Sequence, residues 1–173
     1  EPFQLPAFLE ELDRWSWDRR AAGGHEPMLV NLELKDAAAD PEFAVELDRA
    51  IAVSFHHAVL FSPHALLWDV GEHLRQVAAD PERWPTIGQM RNTLVLCLSG
   101  GDEDTLKRYA GTHHELRLCF ADFAPSMAPG DPGQFRGPDR MILNLQCGAG
   151  GVLGDWRGFL GRAARRRDVL PRV

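Results

Sequence analysis

Near the start of the chain, Leu5, Phe8, Leu9, Leu12 and Trp15 recur at helical spacing, and Pro6 sits where a first helical turn tolerates it. The pattern predicts a first helix that stops before Gly23-Gly24. From Met28 to Lys35 the period changes to two. Leu32 and Leu34 fall on one side and Asn31, Glu33 and Lys35 on the other, which predicts a strand with one apolar and one polar face. Asp40-Pro41 reads as a helix cap followed by proline in the first turn, and Phe43, Leu47, Ile51 and Phe55 then line a second helix that ends near His56-His57.

Ala58 to Phe61 is a short apolar run, and Ser62-Pro63 repeats the cap-then-proline device ahead of a helix carrying Leu66, Leu67, Val70, Leu74 and Val77. After Trp84-Pro85-Thr86, strand signals follow at Thr93 to Ser99, Leu116 to Ala121, Met141 to Gln146 and Val169 to Val173. Ala124 to Asp139, rich in Pro and Gly and without a period, reads as a long loop. Strands joined by helix-length connections cannot be hairpins, because parallel neighbours need crossovers of about a dozen residues or more. The expected class is α/β.

Polar positions decide between an open sheet and a barrel. A strand covered on both faces of an open sheet is apolar throughout. Here Asn31, Glu33 and Lys35, then Cys97 and Ser99, then Asn144 and Gln146 share strand faces and approach the C-terminal ends. That suits a barrel whose mouth holds a site. A complete barrel takes about 250 residues, whereas this chain has 173, starts directly on a helix pattern and stops on the strand-like Val169-Leu170-Pro171-Arg172-Val173. The expectation is a single domain over residues 1–173: a partial (β/α) TIM-type barrel with parallel strands and outer helices, lacking its first strands and its C-terminal end.

Charge narrows the partners. Asp and Glu outnumber Lys and Arg by 25 to 19, a net charge of -6, so no general attraction to nucleic acid or anionic membrane is expected. The run Arg162, Arg165, Arg166 and Arg167 reads as the solvated face of a helix. No stretch is long and apolar enough for a membrane span, and the first residues lack the charged and apolar regions of a signal peptide. Cys97, Cys119 and Cys147 show no C-x-x-C spacing and lie in apolar runs, which predicts buried thiols. Trp15, Trp17, Trp68, Trp84 and Trp156 are read as packing residues.

Barrel sites are assembled at C-terminal strand ends. Glu33, Lys35, Asp36, Asp122, Gln146 and Ser99 with Gly100-Gly101-Asp102 pass that filter. His25 and His113-His114 fall at the opposite end, His56-His57 closes a helix, and His64 is also read as structural. Glu33 and Lys35 on an inward face form a specific arrangement, because an ionised pair inside a barrel is costly unless something uses it. The carboxylate can ligate a hard cation such as Ca²⁺ or Mg²⁺, and the ammonium can neutralise a phosphate oxygen. A structural ion pair, or a shifted strand that turns the pair to solvent, stays open. So does an aldolase or lyase using Lys35 as a Schiff-base nucleophile, although Glu33 beside it favours a charged lysine.

The segment "PMLVNLELKD" resembles the strand of the phosphatidylinositol-specific phospholipase C-like phosphodiesterase superfamily in which an acidic residue, then any residue, then Lys closes an apolar run. "LFSPHALL" and "WPTIGQMRNTLVLCLSG" follow in an order similar to the bacterial calcium-dependent branch, which often carries Gly where this chain has Asn92. The resemblance covers roughly Leu5 to Ser99. It implies hydrolysis of a phospholipid or a related small phosphodiester, with a divalent cation, Ca²⁺ ahead of Mg²⁺. Glu33 would be a metal ligand and Lys35 a catalytic cation on the phosphate, with Asn31, Ser99, Asn144 and Gln146 as substrate contacts. The family's acid/base histidines lie upstream of anything that matches here, so the chain alone is expected to be inactive or nearly so. A secreted or extracytoplasmic location goes with the resemblance. The alternative is a non-catalytic barrel relative serving in binding or assembly.

Overall fold

The computed structural model describes residues 4–35, 40–67, 72–78, 80–111, 116–126, 142–145 and 170–172. The elements run α1 (Leu5–Ala21), β1 (Met28–Leu34), α2 (Phe43–Ser54), β2 (Val59–Leu60), a 3-10 turn at Pro63–Ala65, α3 (Leu74–Ala78) and a second such turn at Pro81–Arg83. β3 (Thr93–Gly100), α4 (Glu103–Gly111), β4 (Cys119–Ser126), β5 (Ile142–Leu145) and β6 (Leu170–Arg172) follow. Every ladder is parallel, and the strands lie in the order β1-β3-β4-β5-β6 with β2 also on β3. Among the described residues the sheet does not close, with β1 and β6 at its ends. This is an α/β fold, an open part of a TIM-type barrel.

β3 is the centre of the molecule and is apolar on both faces. On one face Leu96 and Leu98, with Leu32 of β1 and Ala121 of β4, meet Leu9 of α1, Leu47 and Ile51 of α2, and Leu106 and Tyr109 of α4. On the other face Cys97 and Phe120 meet Phe61, Leu66, Leu67, Leu74 and Val77. Phe61 lies 6.0 Å, centroid to centroid, from both Phe120 and Trp84, and the Trp84 indole N–H donates to the Ala78 carbonyl at 2.9 Å. Each large apolar side chain buried in these layers stabilises the fold by about 1.5–3 kcal/mol. The inner face of β3 and β4 is thus filled by the segment after β2. Cys97 and Cys119 are buried thiols, as expected, while Cys147 lies outside the described residues.

Several boundaries depart from the sequence expectations. Asp40 does not cap α2 directly: its Oδ1 accepts the Glu42 N–H at 2.8 Å in a local turn, and the helix starts at Phe43. The same Asp-Pro-Glu turn recurs at Asp80, whose Oδ1 accepts the Glu82 N–H at 3.0 Å. The third helix is replaced by the 3-10 turn and the short α3, with residues 68–71 outside the described residues. The strand expected over Leu116 to Ala121 starts at Cys119 and runs to Ser126, which takes residues 124–126 out of the expected loop. The rest of that loop lies outside the described residues.

Asn92 occupies the left-handed region, with φ 64. Its N–H donates to the His25 carbonyl at 2.9 Å and its Oδ1 accepts the His25 N–H at 2.8 Å, tying the approach to β1 against the start of β3. Glycine fits such a backbone without strain, and asparagine tolerates it better than other side chains. Asn92→Ala is expected to cost about 2–3 kcal/mol, the left-handed penalty plus a lost hydrogen bond, and Asn92→Gly only about 1 kcal/mol. Urea denaturation of the two variants checks the order.

Asp13 on α1 is 4% exposed, and its Oδ1 accepts the backbone N–H groups of His57 at 3.0 Å and Ala58 at 2.6 Å. Burial pushes this carboxyl up, but the amides of Ala58, His57 and His56 and the nearby His57 ring outweigh it and hold the group below the usual carboxylate range. The stabilisation is therefore present above the unfolded value of about 3.9 and lost as pH falls through the lower folded value. Asp13→Asn is expected to be about 1–3 kcal/mol less stable than wild type at pH 7, with the gap narrowing below pH of about 4. Denaturation curves across that range show it, and a gap unchanged in acid would contradict it.

Candidate functional site

Partners in a parallel ladder share a face, and β1 pairs with β3 so that Asn31 lies opposite Cys97 and Glu33 opposite Ser99. The polar side of β1 is therefore the inner side, as the alternation predicted. Just past the strand, Lys35 Nζ sits 2.8 Å from Glu33 Oε2. The side chains are 76% and 53% exposed, respectively, so the alternative of a buried structural ion pair does not hold. β1 is the end strand of the described sheet, and the segment that fills the inner face packs on β3 and β4. An exposed pair contributes at most about 1 kcal/mol, so stability does not account for it.

Asn31 is exposed on the same face, while Ser99 beside it is buried. After Ser99 the chain turns through two left-handed glycines, Gly100 at φ 77 and Gly101 at φ 64, and the Gly101 N–H donates to the Leu34 carbonyl at 2.8 Å. Asp102, which passed the strand-end filter, is the N-cap of α4, with its Oδ1 accepting the Thr105 N–H at 2.7 Å. The Thr105 hydroxyl and amide hold its carboxyl below the ordinary range. α4, which the apolar pattern did not announce, buries Thr105, Leu106, Tyr109 and Ala110.

His25 lies before β1, at the end opposite this mouth, as the strand-end filter predicted. His25 Nδ1 lies 2.7 Å from the Glu26 carbonyl, which can only accept, so Nδ1 carries the proton and Nε2 accepts the Ser16 hydroxyl at 2.9 Å. The His57 ring lies tilted against Trp17, centroids 4.9 Å apart, beside His56, and His64 is exposed on the first 3-10 turn. Asp122 and Asn144 are placed by their backbones, paired with Ile142 and Arg172. Asp36, His113, His114, Gln146 and the arginine run from Arg162 to Arg167 lie outside the described residues, as do Trp68 and Trp156.

One polar cluster escaped the sequence reading. Asp48 of α2 accepts the Tyr109 hydroxyl at 2.6 Å and the Leu118 N–H at 3.2 Å, and pairs with Arg117 at 2.8 Å. Arg117 Nε donates to the Tyr109 carbonyl at 2.9 Å, its guanidinium lies 5.1 Å from the Tyr109 ring centroid, and the Tyr109 hydroxyl accepts the Cys119 N–H at 3.0 Å. Burial first, then Cys119 and Asp48, push the phenol up, so it stays a neutral donor; burial pushes the Cys119 thiol up as well. This cluster binds α2 and α4 to the start of β4, the end opposite the mouth. Its sequence signal was Asp48, one turn after Ala44 and next to Leu47 on the buried side of α2.

Two clefts in the described residues are also remote from Glu33 and Lys35. One of about 410 Å³ lies beside the start of β3, against Phe61, Arg83, Trp84 and Met90, and one of about 440 Å³ lies between α1 and the end of α2, against Trp17, His56 and His57. Among the described residues no three His, Cys, Asp or Glu side chains converge as metal ligands, and the Glu33 carboxylate is already engaged by Lys35. Since Ca²⁺ takes six to eight oxygen ligands, the described residues alone do not make its coordination shell.

No family model matches the chain, and no curated protein sequence matches it. Solved structures do: the calcium-dependent phosphoinositol-specific phospholipase C from a Gram-negative bacterium, Pseudomonas sp., in its apo crystal form 1 is 19% identical with a TM-score of 0.70, over 98% of this chain and 57% of that one. Its apo crystal form 2 and its myoinositol complex are each 21% identical over 82% of this chain, with TM-scores of 0.65 and 0.64 and 51% and 52% of their own length covered. The chain thus spans about half the length of the structures it matches, and at these identities the likeness is one of fold. By fold, the chain is a partial (β/α) TIM-type barrel similar to that of the calcium-dependent phosphoinositol-specific phospholipase C.

Proposed function

We propose that the chain is part of a phosphoric diester hydrolase acting on a phospholipid or a related small phosphodiester, with Lys35 as the cation that meets the phosphate. The observation that carries this reading is the Glu33–Lys35 pair at the C-terminal end of β1, 2.8 Å apart, open to solvent and of little use to stability. Only two of the chain's 19 basic residues are lysines, Lys35 and Lys107, so composition does not explain a lysine here. Lysine is a compact point charge on a flexible stem. It can leave Glu33 for a phosphate oxygen and stabilise the negative charge that builds there during displacement.

Asn31 would contact the substrate from the same open face, with Ser99, Asn144 and Gln146 as further contacts. Glu33 is the carboxylate that this chain would contribute to a divalent cation, Ca²⁺ before Mg²⁺, with the remaining ligands outside the described residues. The acid/base pair of histidines is proposed to lie upstream of this chain, and the chain alone is expected to be inactive or nearly so. Among the described residues no helix is long and apolar enough to cross a membrane, and an extracytoplasmic location is proposed with the activity. A non-catalytic binding or assembly role is the second reading, favoured by the lack of a histidine beside Lys35 among the described residues.

The test is hydrolysis by the full natural protein of a phosphoinositide, a glycerophosphodiester and a sphingolipid, each with Ca²⁺, with Mg²⁺ and with chelator. Turnover that needs the metal and disappears in Glu33→Gln supports the hydrolase and Glu33 as a ligand. A well-folded protein with no turnover on any of the three moves the assignment to the binding reading.

A further inference from the structure

We infer that Gly100 is a positioning residue for the Glu33–Lys35 pair, holding the carboxylate stem so that it reaches the ammonium. The importance of that for phosphate recognition rests on the reading of Lys35 proposed above. Residues two apart on a strand are separated by roughly 6.6–6.8 Å along the backbone, so Glu33 must lean toward the strand end to touch Lys35. β1 and β3 pair Leu34 with Gly100, and there the chain goes left-handed at φ 77. The Gly101 N–H then clasps the Leu34 carbonyl at 2.8 Å, which fixes the peptide between the two charged residues. The approach is so close that a Cβ at position 100 would collide with the Leu34 carbonyl oxygen and stand 3.1 Å from Glu33 Cγ. The room that glycine leaves is the room the Glu33 stem uses.

The chain's two lysines make the test simple. Reductive ¹³C-methylation keeps the charge and labels Lys35 and Lys107, whose signals are assigned by their loss in Lys35→Arg and Lys107→Arg, and Lys107, near Asp104 on α4, serves as the internal reference. Glu33→Gln is expected to move the Lys35 signal and leave Lys107 in place. Gly100→Ala is expected to move Lys35 in the same direction by a comparable amount, and to change the further shift of Lys35 on adding inorganic phosphate. Gly101→Ala meets the same left-handed strain one residue further from Glu33, at φ 64, and is expected to leave Lys35 near its wild-type position. If either alanine variant does not fold, Gly100→Asn and Gly101→Asn repeat the comparison with a side chain that accepts this backbone more readily.

A Lys35 signal unmoved by Gly100→Ala or Gly100→Asn overturns the inference, as does a variant that moves Lys107 as much as Lys35. So does a Lys35 signal that ignores Glu33→Gln. Turnover plays no part in this measurement. A failed hydrolysis assay therefore leaves the positioning role standing, and a failed positioning test leaves the hydrolase reading to its own assay.

Discussion

Asp48→Ala is expected to lower the stability of the fold by about 3–5 kcal/mol, the usual cost of removing one partner from a buried ion pair. The Arg117 and Asp48 side chains are only 6% and 14% exposed, so water cannot readily replace the carboxylate. The same carboxylate also accepts from the Tyr109 hydroxyl and the Leu118 amide. Asp48→Asn should lose less, because an amide oxygen still accepts from both while the charge is gone. Equilibrium denaturation of the two variants orders these losses. Equal small losses would mean that the cluster does not hold α2 and α4 to β4 as the geometry says.

Lys35→Ala should do the reverse. In the full natural protein it is expected to reduce turnover by about 10²–10³-fold, the range for removing one group that stabilises transition-state charge, while stability changes by about 1 kcal/mol or less. Lys35→Arg keeps the charge but not the compact ammonium, and partial activity is expected. Comparing kcat with the denaturation midpoint for each variant makes the test. A Lys35→Ala protein within a few-fold of wild-type turnover would remove Lys35 from the reaction.

Where burial follows apolar residues, the sequence foretold it well. Leu47 and Ile51 on α2, and the two-sided pattern of β1, turned up where the periodicity put them. It failed where polar groups do the packing. The buried side of α1 is Leu9, Asp13 and Ser16, turned slightly from the purely apolar set, because Asp13 receives two backbone amides and Ser16 bonds His25. β4 starts late because Arg117 and the Leu118 amide are occupied by Asp48. The Glu33–Lys35 contact was legible as residue types and spacing. The exposure of the pair was not, because it depends on what lies beside β1, which no local pattern reports.

The two left-handed positions at Asn92, just before β3, and at Gly100, its last residue, mark the two ends of the strand. A strand that is apolar on both faces would bury almost as much surface if it slid one place along its neighbours, so hydrophobicity alone is a poor guard against slippage. A slide in one direction would force Thr93, a β-branched residue, into the left-handed backbone of Asn92. A slide in the other would put Ser99 in place of Gly100, where a Cβ strikes the Leu34 carbonyl. Each error costs about 1–2 kcal/mol in backbone strain before any packing is lost. The central strand is thus addressed by its punctuation, and the same glycine that makes room for Glu33 also rejects the misaligned sheet.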